Sequence, residues 1–283
     1  MLAILNEMKG EAIDKKLTLI AAGVAFYGLL ALFPGIGAAM AVAGLVIEPE
    51  TVTSTLDTLS GVMPQAAAEI VVGQAREVAS GDSGGLGLVA VLGILVALYS
   101  ASKGMQALID GMNIVAERDD ERSFVKTTAL KLALTFGLIV GLLLCVAVAV
   151  AVPVALSWLP LGSSTETLVS VARWPVLLVI AALGLALTYR VGPAGRDLPW
   201  RWIVPGAALA CVLWLIGTLG FAVYVRMFGS YQETFGALGG VVILLMWLWL
   251  SATIVLLGAL LARVMDARDA APEQRGERAD AGS

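Results

Sequence analysis

Thr127–Leu159 reads TTALKLALTFGLIVGLLLCVAVAVAVPVALSWL, an apolar run broken by one charge, Lys131. As a helix rising ~1.5 Å per residue it is long enough to cross a hydrocarbon layer ~30 Å thick. A globular core does not need an uncharged run of that length. The alternation of apolar and polar residues that marks a membrane β-strand is missing, so the backbone must satisfy its hydrogen bonds inside a helix.

Five more runs of this kind flank it: Thr18–Ile47, Gly85–Ser102, Trp174–Tyr189, Ile203–Val225 and Ala237–Ala262. Hydrophobic residues make up 59% of the chain, charged residues 14%, and mean hydropathy is +0.91, which excludes an ordinary water-soluble domain. The expected fold is all-α, a polytopic six-helix transmembrane domain over residues 1–265. A disordered cytoplasmic tail, 266–283, rich in Ala, Arg, Asp and Glu, is expected to follow.

The loops orient the bundle. With the N-terminus in the cytoplasm, every Lys and Arg falls on the inner side except Arg76, Arg173 and Arg226. That is the bias that sets topology, and it places the C-terminus in the cytoplasm too. The net charge of −4 says little about partners, because the bias counts Lys and Arg alone. The first run is too long for a signal-peptide core and is expected to stay as an anchor. Cys145 and Cys211 lie inside spans and read as packing residues.

Several places in the runs and loops are candidates for function. Pro34, in Leu32-Phe33-Pro34-Gly35, frees the Leu30 carbonyl and predicts a kink or break in the first span, either for packing or beside a polar cavity. Lys103, Gln106, Asp110 and Asn113 recur at three, four and three residues, which lines them along one helical face at the inner end of the second span. They read as an inner gate or a contact for an anionic headgroup, with Asp110 as counterion to Lys103, or as the wet face of a helix emerging into the cytoplasm. Gly137 and Gly141 form a small-residue groove for close helix packing and fit a homo-oligomer. Outside, residues Glu48–Gly84 predict an amphipathic helix starting near Pro64. The fifth loop holds Arg226 and Glu233 among aromatic anchors, at the mouth of any outer cavity.

These fragments also resemble a known family. Ala25-Phe26-Tyr27 with Phe33-Pro34, Asn113, Tyr189-Arg190 before Pro193, Pro205-Gly206-Ala207, Thr234-Phe235-Gly236-Ala237-Leu238-Gly239, Trp247-Leu248 and Leu257-Gly258-Ala259 are similar, in order, to the YihY/BrkB family. The resemblance implies a six-helix protein of the bacterial inner (plasma) membrane, once labelled ribonuclease BN and linked to serum resistance or envelope-lipid transport. Two departures stand out: Phe235 replaces a Tyr, and Leu260 replaces a Glu that would have suited proton coupling.

A nuclease fits these residues poorly. The chain has no His, and its acids Glu117, Asp119, Asp120 and Glu121 are clustered in sequence rather than set on one helical face. No phosphate-cradling Gly-rich loop appears, and no basic surface interleaved with aromatics offers an RNA path. The expectation is a non-enzymatic membrane protein without cofactor, metal or nucleic acid, in contact with membrane lipids, that moves a lipid-like or amphiphilic substrate. Its candidate path residues are Tyr27, Pro34, Lys103, Gln106, Asp110, Asn113, Arg226 and Glu233. An envelope scaffold is the alternative, and a membrane ribonuclease the third.

Overall fold

The computed structural model describes residues 2–46, 86–158, 163–195, 198–227 and 237–280. Among these residues it is all-helical: α1 (Leu2–Asp14), α2 (Leu17–Val46), α3 (Leu86–Ala116), α4 (Phe124–Trp158), α5 (Ser163–Val191), α6 (Trp200–Met227) and α7 (Ala237–Asp280). The last six are long and apolar enough to cross a membrane. Each packs on the next, α7 closes back onto α2, and α7 also reaches α3. The chain therefore folds as a ring of six spans with α1 laid against α2 and α7.

Small residues bring the helices close. A Cβ placed on Gly111 would meet Ile20 at 2.8 Å and Leu256 at 2.9 Å, so α3 meets α2 and α7 together at this point. Gly206 approaches the Gly258 carbonyl in the same way and joins α6 to α7. Gly137 and Gly141 do not: nothing lies within 4 Å of the position a Cβ would take. The groove expected to hold a neighbouring helix faces open space, and the close contacts belong to other glycines.

The packing is lopsided. Buried side chains such as Leu17, Ile109, Met112, Tyr189, Ile203, Leu256 and Leu260 lie near the end of the bundle where α1, the α3–α4 linker and the α5–α6 connection meet. This is the basic end, carrying Lys15, Arg118, Arg122, Arg190 and Arg263. Toward the other end, α4 shows Phe136, Leu138, Ile139, Val140, Leu142 and Leu143 on almost all sides. Lipid contact is the natural fate of such a surface.

Several expectations need correction. The second span does not stop at Ser102; α3 continues to Ala116, because Met105, Leu108, Ile109, Met112 and Val115 carry the apolar pattern past Lys103. Pro34 does not break α2, which is helical from Leu17 to Val46. Neighbouring helices can tolerate such a proline, and here α3 packs against α2, with the Pro34 carbonyl in ordinary contact range of Gly93. The fourth span, in contrast, starts at Trp174 as expected and runs to Val191, within a helix that begins at Ser163. α7 is helical from Ala237 to Asp280. The predicted amphipathic helix over Glu48–Gly84 and the residue Glu233 lie outside the described residues.

Candidate functional site

The length of α3 changes what its polar residues mean. Lys103 stands 13 residues before Ala116, ~20 Å along the axis. It lies, with Gln106 and Asp110, in Val91–Ala116, a stretch long and apolar enough to cross a membrane. Lys103 stands deeper in its span than any other charged residue of the described spans; Asp110 lies as near the end of Val91–Ala116 as Lys131 and Arg263 do to the ends of theirs.

The stripe lies on the outer surface of the ring. Leu92, Val96, Tyr99, Lys103, Gln106, Asp110 and Ile114 recur every three or four residues, and Leu92, Val96, Tyr99 and Ile114 are all exposed. The packed residues Met105, Ile109 and Met112 point elsewhere, with Ile109 fully buried. Gln106 Nε2 donates to Asp110 Oδ1 at 2.8 Å. The Lys103 ammonium lies 5.5 Å from the centre of the Tyr99 ring, one turn back. Asp110 is thus held by Gln106, and the counterion role expected toward Lys103 goes to the face of Tyr99. Insertion scales put a lysine at the centre of a span at about +3 kcal/mol, more than an exposed cation–π contact of about 0.5–1 kcal/mol returns.

Tyr27 borders the same region from α2. Its Cβ would lie 3.5 Å from a Cβ on Gly104, and its ring meets Phe26 edge-on at 5.5 Å. Asn113, the fourth member of the expected stripe, is buried and turned away from it, and its Oδ1 accepts from the Ala194 amide at 2.7 Å. Arg118 and Arg122 donate to the carbonyls of Ala194 and Gly192, each at 2.7 Å. The α5–α6 connection, with Gly195 at φ +81°, is therefore clamped by the end of α3 and its linker. Arg226 ends α6 at the opposite end of the bundle, far along the chain axis from Arg201. The site thus brings together Lys103, Gln106, Asp110 and Tyr99, with Tyr27 nearby, and leaves out Asn113, Pro34 and Arg226.

Spacing alone did not flag a second charged assembly at the basic end. Lys15 Nζ bridges Glu11 Oε2 at 2.7 Å and Glu117 Oε1 at 3.1 Å, and Arg263 reaches the same two carboxylates at 2.7 Å each. Four alternating charges join α1, the end of α3 and α7. The hydrogen bond from Lys15 holds the Glu117 carboxyl below its ordinary range, desolvation works against it, and the charges of Arg263 and Lys15 add to the lowering. Glu11 and Arg263 are 252 residues apart, so no local pattern announces the pair.

Known proteins place the chain. The family model described as virulence factor BrkB matches residues 9–282. The chain belongs to this BrkB family. YfkH of Bacillus subtilis (strain 168), whose name carries the words ribonuclease-like, is 27% identical over 257 residues, 89% of this chain and 91% of that protein. A UPF0761 membrane protein of Tolumonas auensis is 41% identical over 76 residues, 27% of this chain and 25% of the relative. Another from Xanthomonas oryzae pv. oryzae is 40% identical over 117 residues, 41% of this chain and 27% of its own. No solved structure matches the chain. It is thus a BrkB-family membrane protein with several transmembrane helices. At Leu260, where the resemblance predicted a departure from Glu, the side chain is fully buried in the helix core.

Proposed function

We propose that this BrkB-family protein moves a lipid-like amphiphile across the membrane, its head passing along the α3 stripe while its tails stay in the surrounding hydrocarbon. The observation that supports this most is the position of Lys103 and Asp110 on an accessible face inside the span Val91–Ala116. A polar head crossing hydrocarbon pays for desolvation, and groups spaced along the depth of the span lower that barrier. The Lys and Arg bias sets the basic end, and with it both termini, in the cytoplasm, and the membrane is the bacterial inner membrane. The role is non-enzymatic: with no His in the chain, the usual general base is missing.

Vesicles holding the purified chain and a headgroup-labelled fluorescent phospholipid test this. A membrane-impermeant quencher should reach label that starts in the inner leaflet, and Asp110→Asn should slow the exchange. If inner-leaflet label stays protected across a panel of phospholipids and lysolipids while the protein remains folded, transport is wrong. The scaffold reading draws on Gly137, Gly141, Gly184 and Gly220, none of which has an atom within 4 Å of the point where a Cβ would stand. A stable co-purifying protein in that negative result would favour it.

A further inference from the structure

We infer that Lys103 is the contact point for the phosphate of a lipid headgroup, which rests on the α3 stripe being an amphiphile's path. Helical side chains lean toward the N-terminus, and Lys103 does so, its Nζ lying over the Tyr99 ring. It therefore points away from the basic end, ~20 Å off along α3, and from Lys103 to Leu86 the helix continues for ~25 Å. With a hydrocarbon layer ~30 Å thick centred on Val91–Ala116, the lysine stem is too short to carry the ammonium to water in either direction.

Among the described residues no carboxylate lies within ion-pair distance of Lys103. Asp110 is seven residues on, ~10 Å toward the basic end, and is bonded to Gln106. Among the described residues the cation faces only the Tyr99 ring. An anion with several strong acceptor oxygens is its natural complement. Free phosphate would have to shed its water to reach this depth, whereas a lipid carries its phosphate there on its own tails. Leu92 and Val96, exposed on the same face, supply an apolar bed for those tails.

Binding of labelled phosphatidylglycerol to the full chain in neutral nanodiscs, against labelled diacylglycerol, tests the inference. Phosphatidylglycerol should bind and diacylglycerol should not. Lys103→Gln should weaken binding about tenfold, Lys103→Arg should keep it, and Lys126→Gln at the exposed start of α4 should leave it unchanged. Losing the cation should not unfold the chain, so the thermal stability of Lys103→Gln in detergent should match or exceed that of the parent. Equal binding of both lipids, undiminished binding by Lys103→Gln, or displacement by inorganic phosphate would each overturn the assignment. Phosphate-dependent binding lost in Lys103→Gln, without lipid movement in the vesicle assay, would sustain this site and remove transport. Movement that ignores Lys103→Gln would do the reverse.

Discussion

The buried Tyr189 hydroxyl donates to the Val255 carbonyl at 2.6 Å, across the contact between α5 and α7. Gly258 makes room for it, since a Cβ there would lie 2.5 Å from the hydroxyl oxygen and 2.7 Å from the Gly206 carbonyl. Three helices thus converge on one point, and the two kinds of change at that point should differ in cost. Tyr189→Phe removes one hydrogen bond and should cost about 1 kcal/mol. Gly258→Ala forces the α6 and α7 backbones apart and should cost about 1–3 kcal/mol, as overpacking does. Unfolding of the purified protein titrated with denaturing detergent ranks the two; a Gly258→Ala variant as stable as the parent would contradict the contact.

Asn113 holds the Ala194 amide at 2.7 Å in a buried setting. Asn113→Ala leaves that donor without a partner and should destabilise by about 1–3 kcal/mol. Asn113→Asp keeps an acceptor oxygen and should lose less. Lipid movement in vesicles should change far less in Asn113→Ala than in Asp110→Asn, because Asn113 is turned into the clamp and away from the stripe. Equal loss in the two would return Asn113 to the path.

Glycines should split into two groups. Gly111→Ala must push aside Ile20 and Leu256, both under 3.0 Å from the new Cβ, and should destabilise by about 1–3 kcal/mol. Gly137→Ala and Gly141→Ala meet nothing within 4 Å and should be neutral or stabilise the helix by about 0.5–1 kcal/mol. The same detergent titration decides it. A large loss at Gly137 would show that another chain packs there.

These contrasts also show what was legible in the sequence. Hydrocarbon demands long apolar runs, so all six spans were visible, to within a few residues at most ends. The second was cut short at Lys103, because a charge normally marks the edge of the membrane; the residues beyond it, Met105 to Val115, carry an apolar pattern that the charge obscured. Among the polar residues, period-three-and-four spacing grouped Lys103, Gln106, Asp110 and Asn113; the first three share one face of α3, while Asn113 shares the spacing and not the surroundings. Tyr99 was missed because an aromatic in an apolar run looks like any other lipid-facing residue. α1 was missed because its own pattern is weak and its partners, such as Arg263 for Glu11, lie far along the chain.

The charged ring at the basic end gives stability a pH dependence whose sign follows from Glu117. Its carboxyl, ordinarily near 4.5, is lowered in the folded chain, first by the hydrogen bond from Lys15 and then by the charges of Arg263 and Lys15 against the cost of desolvation. The folded state binds that proton less readily than the unfolded state, so the stabilisation is present above 4.5 and fades as pH falls through the lowered value. Glu117→Gln forgoes it at every pH. The difference in thermal stability between parent and Glu117→Gln, measured in detergent, should therefore be largest near neutrality and close toward zero in acid. More than half of the Glu117 side chain is open to solvent, so raised salt should shrink the neutral-pH difference as well. A difference that held steady from neutral pH into acid would mean that Glu117 does not carry its charge into the ring, and that Arg263 is held by Glu11 alone.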